Sequence, residues 1–392
     1  MIRTTILEGI ARPWSISIWV AILSLAGCGF PEDAAHAKKQ LTSEASVIKQ
    51  KNLSAYIEGD HSIFVRRKQN RPSVVSRVAT VENCLAKGFA QVGFEFLDFT
   101  IFKKDNLFHT FYIPCVPKAG HVWPGHDVWF GHAVSEDLDT WVALDPAICT
   151  EPNNYFESGH LWAPFVCEKD GTYYMFYTGL SSEPSQVICL ATSTDPELKK
   201  WDRYANNPII PLAGLDWHWK NESDHVFDAR DPHVVKAGDH YLLAYTTIHK
   251  SGCPAVGGMI SDDLLNWEDI GPILYRPLSD KVRWSPESCN IQQMPDGSWA
   301  LFPSATPGVE YYVSDDPHNF NASEAGKIRY IDGGKYIGGI EVISRKDDLK
   351  KWLVAFFEWQ EHRLFLGEFD FTEHPWTVRR IHDITELADW NL

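Results

Sequence analysis

Trp162-Ala163-Pro164-Phe165-Val166, a turn at Lys169-Asp170-Gly171 and then Tyr173-Tyr174-Met175-Phe176-Tyr177 form the stretch that decides the fold. The runs are short, alternate in polarity and are bounded by turn formers, which marks β-strands rather than helices. The unit continues through Cys189-Leu190-Ala191-Thr192-Ser193 to Glu197-Leu198-Lys199-Lys200-Trp201. An earlier copy starts at Leu97-Asp98-Phe99, passes Phe108–Tyr112 and Gly131–Ser135, and closes on Asp137-Leu138-Asp139-Thr140-Trp141. A third starts at Asp231-Pro232-His233 and closes on Asp263-Leu264-Leu265-Asn266-Trp267. A fourth begins at Glu287, and a fifth, more degenerate, runs from Gly339-Ile340-Glu341 to Phe371.

The register repeats as well as the pattern. Asp98, Ala163 and Asp231 each lie 14 residues before an aromatic (Tyr112, Tyr177, Tyr245), and Glu287 and Glu341 lie 15 before Phe302 and Phe356. Five units of about four strands each predict an all-β chain folded as a five-bladed β-propeller of four-stranded antiparallel blades, in which radial repetition protects the sheet edges. A β-sandwich would give no reason for a common register across five units.

Of the 392 residues 44% are hydrophobic, enough for a full-sized core, and the net charge is −16. An acidic chain lacks the basic surface that displaces counterions from phosphates, so nucleic acid is excluded as a partner. At the N-terminus, Arg3 and Arg12 precede a largely apolar run from Trp14 to Gly27, too short for a membrane-spanning helix but suited to a signal peptide. The run ends in Leu25-Ala26-Gly27-Cys28, which resembles a bacterial lipoprotein signal. That resemblance implies export, with lipid attached at Cys28 as the only membrane contact and a periplasmic or cell-surface location. The expected organisation is a signal peptide over 1–27, a tether and lead-in over 28–85 with a strand near Ser62–Arg66, and the propeller over 86–392. The Cys spacings contain no CxxC pair and no zinc pattern, so no structural metal is expected.

In a propeller the first strand of each blade lines the axis, so equivalent positions at its entry converge on one funnel. The register puts acids there in four copies (Asp98, Asp231, Glu287 and Glu341) and Ala163 in the other. An unpaired carboxylate gains nothing from burial. Several around one cavity repel, which raises the pKa of at least one of them. One acid protonated beside another ionised is what glycoside hydrolysis requires. Asp137 and Asp263 read as turn formers.

With these residues in view, the chain from about 90 to 372 resembles the five-bladed glycoside hydrolases of families 32, 43, 62 and 68. Arg230-Asp231-Pro232 is similar to their Arg-Asp-Pro motif, and Trp162-Ala163-Pro164 resembles the Trp-Ala-Pro of family 43. Phe130-Gly131-His132-Ala133-Val134-Ser135-Glu136-Asp137-Leu138, followed by Trp141, resembles family 32. Glu287-Ser288-Cys289 matches neither the Glu-Cys of family 32 nor the Glu-Gly-Pro of family 43, and Leu97-Asp98-Phe99 departs from the Asn-Asp-Pro of family 32. The resemblance implies Asp98 as nucleophile or general base, Asp231 as transition-state stabiliser and Glu287 as general acid. It admits an axial calcium ion, although nothing in the sequence requires a cofactor.

Trp162 and Trp284 are candidate sugar-stacking residues, and Arg230, His160 and His233 are candidates for polar contacts. The expected partner is a carbohydrate, either a furanoside (arabinofuranosyl or fructofuranosyl) or a xylosyl glycan. The competing expectations are a lectin-like propeller that binds glycan without cleaving it and an adhesion scaffold that binds none. Sequence leaves oligomeric state open.

Overall fold

The computed structural model describes residues 83–115, 127–181, 186–210, 215–219, 228–276, 286–305, 308–332, 336–390 and 392, with short strands at 65–66, 72–73 and 79–81. The signal-peptide reading, Cys28 and Trp284 lie outside the described residues.

Five antiparallel sheets follow one another along the chain. Their inner strands are Glu95–Lys104, His160–Lys169, Ala229–Ala237, Glu287–Gln293 and Ile337–Lys346. Each inner strand pairs with the next strand in sequence, and two further strands extend the sheet outward, so the chain builds each blade from the axis to the rim. The first and fifth blades each gain a fifth strand. Arg329–Tyr330 adds in parallel to the rim of the fifth. Ala79–Val81 pairs with Trp141–Ala143, so strand pairing in the first blade starts ahead of residue 86. Val65–Arg66, at the end of the segment expected to form a strand, pairs with Pro72–Ser73.

Five hydrophobic clusters fill the spaces between neighbouring blades. Phe111, Phe130 and Tyr177 sit between blades one and two; Phe176, Leu190 and Tyr245 between two and three. Leu242, Trp299 and Tyr312 sit between three and four, and Phe302, Trp352 and Phe356 between four and five. Phe96, Trp141 and Leu353 join five to one. Each fully buried side chain of this size contributes about 1.5–3 kcal/mol. The ring closes where Phe89 exchanges backbone hydrogen bonds with Leu364 at 2.8 Å and the Phe96 N–H donates to the His362 carbonyl at 2.7 Å.

The Asp-Leu-x-x-Trp repeats are turns, as the sequence implied. Asp137 Oδ1 accepts from the backbone N–H groups of Asp139 and Thr140, and Asp263 Oδ1 does the same for Leu265 and Asn266. Leu138, Leu198 and Leu264 adopt positive φ, and the Trp indoles of 141, 201 and 267 donate to their carbonyls. All seven described cysteines are free thiols. Among the described residues no helix is long and apolar enough to cross a membrane.

Candidate active site

Every inner strand carries a β-bulge near its entry. The pairing register shifts between Leu97 and Phe99, Trp162 and Phe165, Arg230 and His233, Glu287 and Asn290, and Gly338 and Glu341. The equivalent residue at each bulge is Asp98, Ala163, Asp231, Ser288 and Gly339 in turn. Four of them have positive φ: Ala163 45°, Asp231 54°, Ser288 45° and Gly339 59°. A bulge re-aims the side chain it carries. All five line a single central cavity, together with Phe165, His233 and Glu341.

This corrects the register read from the sequence in two blades. Glu287 stands one position before the bulge, where Arg230 and Trp162 stand in their blades. Glu341 stands two positions beyond it, at the place of His233. Counting back from the second strand's aromatic misled in the fourth blade because Phe302 pairs with Asn290 as Ala244 pairs with His233, one place short of the position Tyr245 holds. In the fifth blade a second register shift between Val342 and Ser344 adds to the error.

The three expected catalytic acids nevertheless meet, and Ser288 joins them. Its hydroxyl donates to Asp98 Oδ1 at 2.6 Å, and its backbone N–H donates to Asp231 Oδ2 at 2.9 Å. Arg230, buried at 5% exposure, donates from Nε to Glu287 Oε2 at 2.8 Å, pairs with Asp228 and lies 3.7 Å from Asp231 Oδ2. Three carboxylates thus share one guanidinium, and loss of solvent penalises each charge. Burial is the largest influence on both Asp98 and Asp231. It lifts Asp98 to about 6, against the Ser288 hydrogen bond, and Asp231 to about 8, against Arg230. Burial in the funnel favours a proton on Asp231. Glu287 is the acid nearer solvent, with 20% of its side chain exposed.

No three His, Cys, Asp or Glu side chains among the described residues are disposed to hold a metal ion. His233, the ring nearest the axis, is buried beside Phe165, accepts from the Ile291 N–H, and is pushed down to about 3 by burial.

Residues 100–369 match the model of the glycosyl hydrolases family 32 N-terminal domain, more than half of the chain. The chain belongs to glycoside hydrolase family 32. β-Fructofuranosidase, insoluble isoenzyme 4, from Oryza sativa subsp. japonica is 34% identical over 211 residues, which is 53% of this chain and 32% of the relative. The chain spans between about a quarter and a third of the length of the curated relatives it matches. In fold it is similar to fructan 1-exohydrolase IIa from Cichorium intybus (TM-score 0.56, 18% identity, covering 76% of this chain and 61% of that one). It is equally similar to a thermostable family-43 glycoside hydrolase (TM-score 0.56, 16% identity, 73% and 92% covered).

The remaining candidates divide in this family 32 chain. The Trp162 indole donates to Asp127 Oδ2 at 3.0 Å, and its ring stacks at 5.6 Å on the buried His160. His160 does not line the central cavity, and Arg230 is engaged by the acids around it. Sequence reasoning missed Ser288, Asp127, Trp359 and Tyr336. Asp127 also accepts the Cys115 thiol at 3.1 Å, and burial pushes it up to about 7.

Trp359 and Tyr336 are 41% and 46% exposed, and the Trp359 N–H donates to the Tyr336 carbonyl at 3.0 Å. A Cβ on Gly338 would fall 2.9 Å from Trp359 Nε1. The indole therefore covers the place that Trp162, Arg230 and Glu287 fill in other blades. The Gly338-Gly339 pair was the signal available: two glycines at an axial strand entry make room for a side chain from the neighbouring strand.

Proposed function

We propose that the protein is a glycosidase that hydrolyses terminal β-fructofuranosyl linkages in sucrose-like or fructan oligosaccharides. The observation that carries this reading is the Ser288 junction in a family 32 chain: its hydroxyl and amide hold Asp98 and Asp231 at the central cavity, and Glu287, the residue before it, is tied to Arg230 of the third blade. Relatives named β-fructofuranosidase and fructan 6-exohydrolase support the choice of fructofuranosides over arabinosides or xylosides.

In the reaction, Asp98 acts ionised on the anomeric carbon, as nucleophile or as base toward water. Asp231 holds sugar hydroxyls and meets the positive charge that develops on the ring. Glu287, on the solvent side of the bulges, donates a proton to the departing oxygen. Arg230 fixes the Glu287 carboxylate and limits repulsion among the acids. Trp359 and Tyr336 supply an apolar rim on which a sugar face can lie. The mature chain is exported and held at the membrane surface by lipid on Cys28; Cys28→Ser would release it to the soluble fraction.

The test is fructose release from sucrose, 1-kestose and levan oligosaccharides by the wild type, Asp98→Asn and Glu287→Gln. Turnover should fall by orders of magnitude in both variants while thermal unfolding stays cooperative. Wild-type protein that binds these sugars without releasing fructose would be a lectin and would end the proposal.

A further inference from the structure

Asp98 is the acid on which the proposed reaction turns, and among the described residues its one hydrogen-bond donor is Ser288. The same residue's backbone N–H holds Asp231. Both contacts follow from the bulge: a positive φ of 45° turns the amide and the hydroxyl of one residue into the cavity together.

We propose that Ser288 is a positioning residue, whose hydroxyl fixes the rotamer of Asp98 and whose amide fixes Asp231, so that one bulge sets the placement of both acids relative to Glu287 next to it in sequence. This rests on the reading that Asp98 reacts at the anomeric carbon.

The fold supplies an internal comparison. Ala163 occupies the equivalent bulge of the second blade at the same φ of 45°, and Gly339 occupies that of the fifth. The bulge therefore needs no hydroxyl to form, and the Ser288 hydroxyl is available for Asp98. An unclamped Asp98 would rotate about its side-chain bonds, and misplacement of a reacting group by about 1 Å can cost about a hundredfold in rate.

The hydroxyl also acts on charge. A donor to a carboxylate favours the ionised form, and it opposes the burial that raises Asp98. The other groups bearing on Asp98 are Cys115 and Asp127 from the first blade, Arg230 and Asp231 from the third and Glu287 from the fourth, with Glu341 of the fifth lining the same cavity. Of these only Arg230 also favours ionisation, and it is engaged with Glu287 and Asp228.

The experiment compares wild type, Ser288→Ala and Ser288→Cys by 13C NMR titration of the Asp98 carboxyl, assigned with Asp98→Asn, and by the pH dependence of kcat/KM on sucrose. Ala163 shows that alanine suits this backbone, and thermal unfolding checks that the variants fold. Ser288→Ala should move the Asp98 titration and the acid limb of kcat/KM upward by about one pH unit. It should lower kcat on the pH plateau at least tenfold with KM little changed, and Ser288→Cys should recover part of both. An Asp98 titration that does not move in Ser288→Ala overturns the proposal. If wild type leaves sucrose and fructan oligosaccharides intact, the functional reading fails separately, and the NMR titration still decides the clamp.

Discussion

Arg230 and Glu287 belong to neighbouring blades, and the guanidinium Nε of one donates to the carboxylate of the other at 2.8 Å. The same guanidinium meets Asp228 and reaches the Pro286 carbonyl at 3.4 Å, so a single planar fork ties the third blade to the entry of the fourth. A lysine ammonium is a compact point charge without that fork. Arg230→Lys should therefore lower kcat/KM by about a hundredfold or more. Arg230→Met leaves several buried carboxylates without their cation and should cost about 3–5 kcal/mol, read from urea unfolding. Wild-type kinetics in Arg230→Lys would show that the fork does not organise the acids.

Asp231 should trade stability against activity. Burial raises its carboxyl to about 8, so keeping it ionised at neutral pH works against folding. Asp231→Asn preserves an acceptor for the Ser288 amide and removes the titration. The variant should melt at a higher temperature than wild type at pH 7.5 and lose turnover by orders of magnitude, in line with the usual tension between active-site function and stability. A lower melting temperature would mean that the carboxylate's pairing with Arg230 outweighs its desolvation.

The buried acids set a pH signature for the whole fold. Asp127, Asp231 and Glu341 are raised to about 7, 8 and 8, chiefly by burial. In the unfolded chain such groups release their protons near pH 4. The native state thus holds more protons than the unfolded state up to about pH 8, and stability falls as pH rises through that window. Buried histidines act in the opposite sense below pH 6.5. Burial lowers His109 to about 4 and His233 to about 3, and takes His132 well down, so the unfolded state binds their protons first. The two sets oppose one another between about pH 4 and 6.5, so melting temperature should change little there and decline from about pH 6.5 toward pH 8, and Glu341→Gln should flatten the alkaline decline. A melting temperature that climbs from pH 6.5 to 8 would contradict these assignments.

Much of this was legible in the sequence. The five-fold recurrence of strand and turn gave the blades, closed in the first three copies by Asp-Leu-x-x-Trp or its Glu-Leu variant, because such turns need an acid to collect backbone N–H groups and a residue tolerant of positive φ. Arg230-Asp231-Pro232 fell on a bulge and was read in register. Glu287 and Glu341 were displaced, by one position and two, because counting along the chain cannot distinguish an extra residue in a strand from one in a turn. That displacement hid Ser288, whose hydroxyl reaches Asp98 only through the backbone conformation of the bulge. Trp359 was hidden for a related reason: its place at the axis depends on what Gly338 lacks. Asp127 reaches Trp162 across 35 positions, a separation at which local pattern carries no signal.

The exposed rim of the fifth blade leads to the last prediction. Trp359 is 41% exposed although the Phe357 ring packs against it at 5.2 Å, and its indole covers Gly338 instead of entering the core. A ring left partly open to water beside a funnel of carboxylates fits a sugar face, for which such stacking contributes about 0.5–1.5 kcal/mol. Trp359→Ala should raise KM for sucrose and 1-kestose about three- to tenfold, change kcat less, and leave the melting temperature within a few degrees of wild type. Trp359→Phe should restore most of the affinity. Gly338→Ala tests the same geometry from below, because its new Cβ would meet the Phe357 ring at 2.8 Å and Trp359 Nε1 at 2.9 Å, so the indole would have to move. That variant should reproduce the KM defect with Trp359 still present. Should both substitutions leave KM unchanged, the fifth-blade rim takes no part in binding, and the stacking surface must lie on the Trp162 side.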